Sequence, residues 1–171
     1  MLSIRSETAR DRDGIRRVNE LAFARPDEAR LVDALRDAAS PFLSLVAEDD
    51  GEIVGHICFT PVAVEREDGG TATILGLAPM AVLPERQNQG IGSKLVHAGL
   101  DACRNAGYGA VVVLGHPDYY PSFAFEPAAR RGLKSEYYVP EPVFMVAELV
   151  PGAMDELRGL ARYHEAFSAV T

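Results

Sequence analysis

Gln87-Asn88-Gln89-Gly90-Ile91-Gly92 stands between an apolar run, Thr73 to Leu83, and a stretch in which Ile91, Leu95, Val96, Leu100 and Cys103 recur at helical spacing. Gly107 supplies the stop, so the spacing predicts a helix over 90–105. The next run, Ala110 to Leu114, is short and apolar at every position, the pattern of a strand buried on both faces. Strand, helix and buried strand in that order make a β-α-β unit, which requires two parallel strands joined by a right-handed crossover.

Upstream the pattern is different. A short strand, Ser3 to Ser6, precedes Thr8-Ala9-Arg10-Asp11, which has capping-box spacing and opens a helix to about Ala24. Pro26, with Asp27 and Glu28 behind it, starts a second helix that ends before Ser40-Pro41. Phe42 to Ala47 and Ile53 to Val64 read as a hairpin about Asp49-Asp50-Gly51, and a turn at residues 66–70 adds the strand Thr73 to Leu83. Pro79 lies inside that third strand and cannot donate to a ladder, so a bulge or splay is expected there. The sheet is therefore mixed. Farther on, Gly115 to Asp118 reads as a loop, Tyr119 to Phe123 as a helical turn, Val143 to Val150 as a strand and Met154 to Tyr163 as a terminal helix. At 171 residues the chain is expected to form a single domain over 1–171, with a core of about 2–150 and a helical extension over 151–171.

Charge narrows the function classes. Twenty-five acidic against 17 basic side chains give a formal charge of −8, a field that repels phosphate backbones and argues against nucleic acid. The two cysteines, Cys58 and Cys103, form no CxxC, and Met1 to Arg5 runs into polar residues with no signal-like leader, so a reducing cytoplasm is the expectation. No apolar run approaches the roughly 20 residues of a membrane span. A homodimer is compatible with the sequence.

At the join of strand and helix, Gly90 and Gly92 leave main-chain N–H groups open at the positive end of a helix dipole, a seat for an anion. The dinucleotide fingerprint fails because Leu95 stands where a glycine is needed, and the P-loop pattern fails because Ser93-Lys94 follows Gly92. Neither GxSxG nor the metal-binding HExxH occurs. What residues 87–92 do match is the Q/R-x-x-G-x-G/A loop; together with the proline-interrupted strand before it and the helix after it, this resembles the GCN5-related N-acetyltransferases, the GNAT family. Tyr120, five residues before Phe125, agrees with a second family motif, although Ala124 replaces the glycine of its Gly-Phe pair. Residues 75–84 and 119–125 look like the YhbS-like branch of that family, and the likeness covers about 2–150.

The resemblance implies an α/β fold (α+β by some schemes) whose mixed, mostly antiparallel sheet is splayed between its fourth and fifth strands and flanked by helices. It implies acetyl-CoA as cosubstrate, no metal, and direct attack by a primary amine of a small molecule or protein. By the same likeness the cofactor-binding residues are Met80, Ala81 and Val82 for the pantetheine arm and Gln87, Asn88, Gln89, Gly90, Ile91, Gly92 and Ser93 for the diphosphate. Tyr120 is implied as the acid that serves the leaving thiol; without the likeness it reads as a half-buried core aromatic. His116, at the end of the buried strand, is a candidate proton relay or a plain loop residue. The buried strand offers no carboxylate as base. A non-catalytic acyl-CoA sensor or a protein-interaction module on the same fold stays open, as do a longer acyl donor and a hydroxyl acceptor.

Overall fold

In a computed structural model that describes residues 1–170, nine strands form one mixed sheet in the order β1-β2-β3-β4-β5-β8-β6, with β9 paired to both β3 and β7. The strands are β1 (Leu2–Ser6), β2 (Leu43–Asp49), β3 (Glu52–Arg66), β4 (Thr71–Val82), β5 (Ala110–Leu114), β6 (Glu126–Pro127), β7 (Leu133–Ser135), β8 (Phe144–Glu148) and β9 (Gly159–Arg162). Three α-helices accompany them: α1 (Arg12–Phe23), α2 (Asp27–Ala38) and α3 (Ile91–Asn105). As the β-α-β pattern requires, β4 and β5 are parallel. Their pairing is brief, Leu75 to Val111 and Gly76 to Val112, and ends before Pro79. The expected break is thus a splay: β4 itself runs on through Pro79 to Val82.

Two compact units make up the chain, one from residues 1–60, 78–101 and 165 onward, the other from 61–77 and 102–164. In the first, Thr8 and Asp11 close the expected capping box, and the Asp50-Gly51 turn of the β2–β3 hairpin has φ values of 50° and 81°. Such a pair of positive angles matches the right-handed twist of the strands it joins. Alternation along β3 sends Ile57 and Phe59 toward α3, where Gly99 permits the approach: a Cβ there would lie 2.4 Å from the Phe59 ring. The alternate residues, His56 and Cys58, face the other way. Cys58 packs with Leu31, Leu35 and Ala39, and onto that cluster close Phe42, Phe167 and Val170.

His56 is fully buried in a polar chain that crosses five segments of this unit. Asn19 Nδ2 donates to the Ile15 carbonyl at 2.9 Å and to His56 Nδ1 at 3.2 Å, which leaves the ring proton on Nε2. Nε2–H meets Ser44 Oγ at 2.9 Å, the Ser44 hydroxyl donates to the Glu7 carboxylate, and Arg36 Nε donates to Glu7 at 2.7 Å. With both ring nitrogens committed and the ring shut away from solvent, burial pushes the His56 pKa down to about 4.

The unfolded chain therefore binds a proton that the folded chain refuses between about pH 6.5 and 4, and stability falls as pH drops through that window. The expected loss is about 3 kcal/mol, from roughly 2.5 pH units at 1.36 kcal/mol each. Asp11, held below the usual carboxylate range by Arg5, adds further loss only at lower pH. Urea midpoints measured from pH 7 to 4 should decline, and a His56→Gln variant should flatten the decline. A midpoint constant between pH 7 and 4.5 in the parent protein would contradict this account.

One expectation is corrected. Residues 154–163 form no terminal helix: Gly159–Arg162 is strand β9, and Glu165–Ala169 is a short 3-10 segment. The cause is tertiary. β2 pairs with β3 only as far as Phe59, so the edge at Ala63 to Arg66 is available, and β9 fills it. Gly159 makes that pairing possible, because a Cβ there would sit 2.0 Å from the Glu65 carbonyl oxygen.

Candidate active site

In the first unit, β4 leads into a 3-10 turn at Pro84–Arg86 and an exposed loop before α3. Asn88 and Gly90 both have positive φ, 62° and 85°. Asparagine and glycine are the residues that tolerate this region, and left-handed residues set among ordinary ones turn successive N–H groups into a concave nest. The helix ladder begins with Lys94 N–H donating to the Gly90 carbonyl at 3.1 Å, so the amides of Ile91 and Gly92 lie ahead of it with no acceptor inside the helix. At Gly90 a Cβ would meet nothing within 4 Å. The glycine there serves backbone conformation and leaves the surface bare. Gly92 differs, because it already lies inside α3.

The side chains of the loop brace it. Arg86 joins Asp49 at 2.8 Å and Gln89 Oε1 at 3.1 Å, while Gln89 Nε2 returns to the Glu85 carbonyl at 3.3 Å. Gln87 Nε2 reaches back to the Val82 carbonyl at 3.2 Å. Arg86 was no sequence-level candidate, and only its place beside the motif could have signalled it. Of the β4 candidates, Ala81 is buried and Met80 and Val82 are partly exposed. Cys58 Sγ donates to the Ala78 carbonyl at 3.2 Å, fixing the strand where its ladder with β5 has ended.

In the second unit, His116 follows β5 and is exposed. Its carbonyl accepts the N–H groups of Tyr119 at 3.1 Å and Tyr120 at 3.4 Å, so its main chain starts the turn that presents Tyr120. The Tyr120 ring is buried, edge-on to Tyr119 at 5.0 Å and to Phe125 at 5.5 Å. Gly115 creates the seat: a Cβ at that position would come within 2.3 Å of the ring. Burial, aided by Tyr119, pushes the phenol up to about 12, so the hydroxyl keeps its proton at any physiological pH. A cavity of about 520 Å³ opens by Arg66, Thr73, Gly109 and Asp155, at the other end of β5, and includes no candidate residue.

Ala124, which the resemblance sets at the place of a glycine, has φ 68°. An alanine in that region costs about 1–2 kcal/mol, against about 0.5–1 kcal/mol for glycine's extra freedom when unfolded. Ala124→Gly should raise stability by about 0.5–1 kcal/mol and the melting temperature by roughly 2 °C, read by thermal scan. A lowered melting temperature would contradict the strain.

Residues 7–125 match the profile of the acetyltransferase (GNAT) family. This chain belongs to the GNAT acetyltransferase family. Among its GNAT relatives, the uncharacterized N-acetyltransferase YhbS of Escherichia coli K12 is 39% identical over 166 residues, 96% of this chain and 98% of the relative. The crystal structure of E. coli YhbS in complex with CoA superposes with a TM-score of 0.91 at 37% identity, covering 99% of this chain and 93% of that one. A GNAT acetyltransferase from Brucella melitensis, solved with acetyl-CoA, gives 0.80 at 38% identity and 98% coverage of both chains. Among the described residues no cluster of His, Cys, Asp and Glu could hold a metal ion, and no helix is long and apolar enough to cross a membrane.

Proposed function

We propose that this GNAT protein transfers the acetyl group of acetyl-CoA to a primary amine by direct attack. The observation that carries the reading is the nest at Asn88 and Gly90, set at the start of α3 with bare surface over Gly90. A diphosphate suits it, since such a seat needs backbone donors and no net positive charge. The profile match runs through both compact units, which favours treating them as one catalytic domain. Buried thiols at Cys58 and Cys103 fit a reducing compartment such as the cytoplasm.

Each group then has a task. Amides around Ile91 and Gly92 hold the diphosphate, and the Met80–Val82 stretch of β4 lies along the pantetheine arm as an added strand would. An alkylammonium has a pKa of roughly 10.4, so the acceptor must shed a proton before its nitrogen attacks the thioester carbonyl. Water, relayed by the exposed His116, takes that proton. As the C–N bond forms and the C–S bond breaks, the sulfur leaves with the electron pair and the Tyr120 hydroxyl stabilises it. The acidic surface, at −8, steers cationic amines inward.

Release of thiol from acetyl-CoA, measured with and without a pool of amines between pH 6 and 9, tests the reading. Amine-dependent release is expected, with a His116→Ala variant losing rate most at the acid end, where a proton acceptor matters most. Release that ignores the amine would contradict the transfer, and an unchanged pH profile in the variant would remove His116 from it.

A further inference from the structure

A small pocket of about 190 Å³ lies in the second unit, lined by Leu133, Tyr137, Tyr138 and Phe144, with Lys134 and Glu141 beside them. Its position follows from strand register. Leu114, the last residue of β5 and 36% exposed, pairs directly with Phe144, so the two side chains leave the sheet on one face. Alternation puts Val112 on that face as well, and its partner there is Gly76. A Cβ on Gly76 would sit 2.9 Å from the Tyr163 ring, whose centroid is 5.9 Å from that of Tyr137. Pocket and exposed strand end therefore share a face. The residue after Leu114 is Gly115, which seats the Tyr120 ring and donates its N–H to the Val143 carbonyl at 2.9 Å, next to Phe144.

We propose that this pocket holds the tail of the acceptor amine, and that the tail is an uncharged aromatic ring or a branched alkyl group of similar size. The inference rests on the acetyl-transfer reading and names its substrate class. Size sets the first limit: a cavity of about 150 Å³ lined by apolar side chains accepts benzene, so this one takes a phenyl-sized group and little more. Lining sets the second. Two tyrosines and a phenylalanine offer ring edges and faces, the surface that another ring packs on best. Charge sets the third. Lys134 and Glu141 carry opposite signs and line the same pocket, so a tail of either sign meets a like charge as well as an opposite one and still loses water. A neutral tail avoids that penalty.

With acetyl-CoA saturating, kcat/KM for 2-phenylethylamine and 3-methylbutylamine should exceed that for ethylamine and putrescine by about 10- to 100-fold, the range expected for burying one such group. Ala129 lines the same pocket and is exposed, so Ala129→Phe fills the space from its rim. That variant should abolish the preference while leaving ethylamine turnover and coenzyme A affinity unchanged; Tyr138→Ala, at a fully exposed position, should weaken it several-fold without affecting folding. Equal kcat/KM for the four amines, or a preference that survives both variants, would overturn the assignment. Failure of the acetyl-transfer reading looks different, because no amine would then release thiol. In that event an NMR titration with 2-phenylethylamine decides: saturable shifts lost in Ala129→Phe uphold the pocket, and their absence from the parent protein refutes it.

Discussion

Tyr120→Phe is expected to lower kcat by about 100-fold while leaving the melting temperature and coenzyme A affinity close to those of the parent protein. The size follows from what a buried phenol can do. Full proton transfer from a group at about 12 to a thiolate whose acid has a pKa of about 8.5 is uphill by roughly 3.5 units, or about 5 kcal/mol. A hydrogen bond to the departing sulfur has no such cost, and bonds to charged groups contribute about 1.5–3 kcal/mol. Tyr120 therefore acts as a donor that lowers the barrier, with the thiolate collecting its proton afterwards from water. Phenylalanine keeps the ring against Tyr119 and Phe125, which is why stability should hold. The pH profile carries a second signature. Because the phenol stays protonated to about 12, kcat/KM should rise with the fraction of neutral amine and show no fall before pH 10 from loss of this proton. A variant within about 3-fold of the parent in kcat, well short of one hydrogen bond to a charge, would remove Tyr120 from the chemistry.

The second large effect belongs to the loop. Gly90→Val should weaken coenzyme A binding by about 100-fold or more, since losing two charge-assisted bonds at about 1.5–3 kcal/mol each exceeds that factor. A β-branched side chain is a poor occupant of φ 85°, so the loop must reshape, and the new methyl groups would cover the surface that glycine leaves bare. No neighbour lies within 4 Å of the new Cβ, so packing suffers little and the melting temperature should drop by only a few degrees. Binding and stability thus separate. Loss of both together would point to collapse of α3, and retained affinity would place the diphosphate elsewhere.

Much of this was legible in the letters because the informative features were local. The β-α-β unit shows in one amphipathic stretch and one fully apolar run, and both elements stand where periodicity puts them. Residues 87–93 are a local motif too, with turn chemistry written into asparagine and glycine. Other features depend on partners far along the chain. Residues 159–162 carry a helical-looking context yet form β9, because β3 leaves an edge unpaired that only the folded sheet reveals. His56 reads as an ordinary strand residue, and its partners Asn19 and Ser44, with Glu7 behind Ser44, come from three other segments. The need for glycine at 115 arises from the Tyr120 ring packed over it, a contact that no spacing announces.

Titrating the purified protein with coenzyme A in a calorimeter tests the central claim most directly. The loop at Asn88 to Gly92 should bind one equivalent with a dissociation constant in the micromolar range, about −8 kcal/mol, and Gly90→Val should shift it toward millimolar. Absence of saturable heat up to about 1 mM coenzyme A would contradict the account at its root.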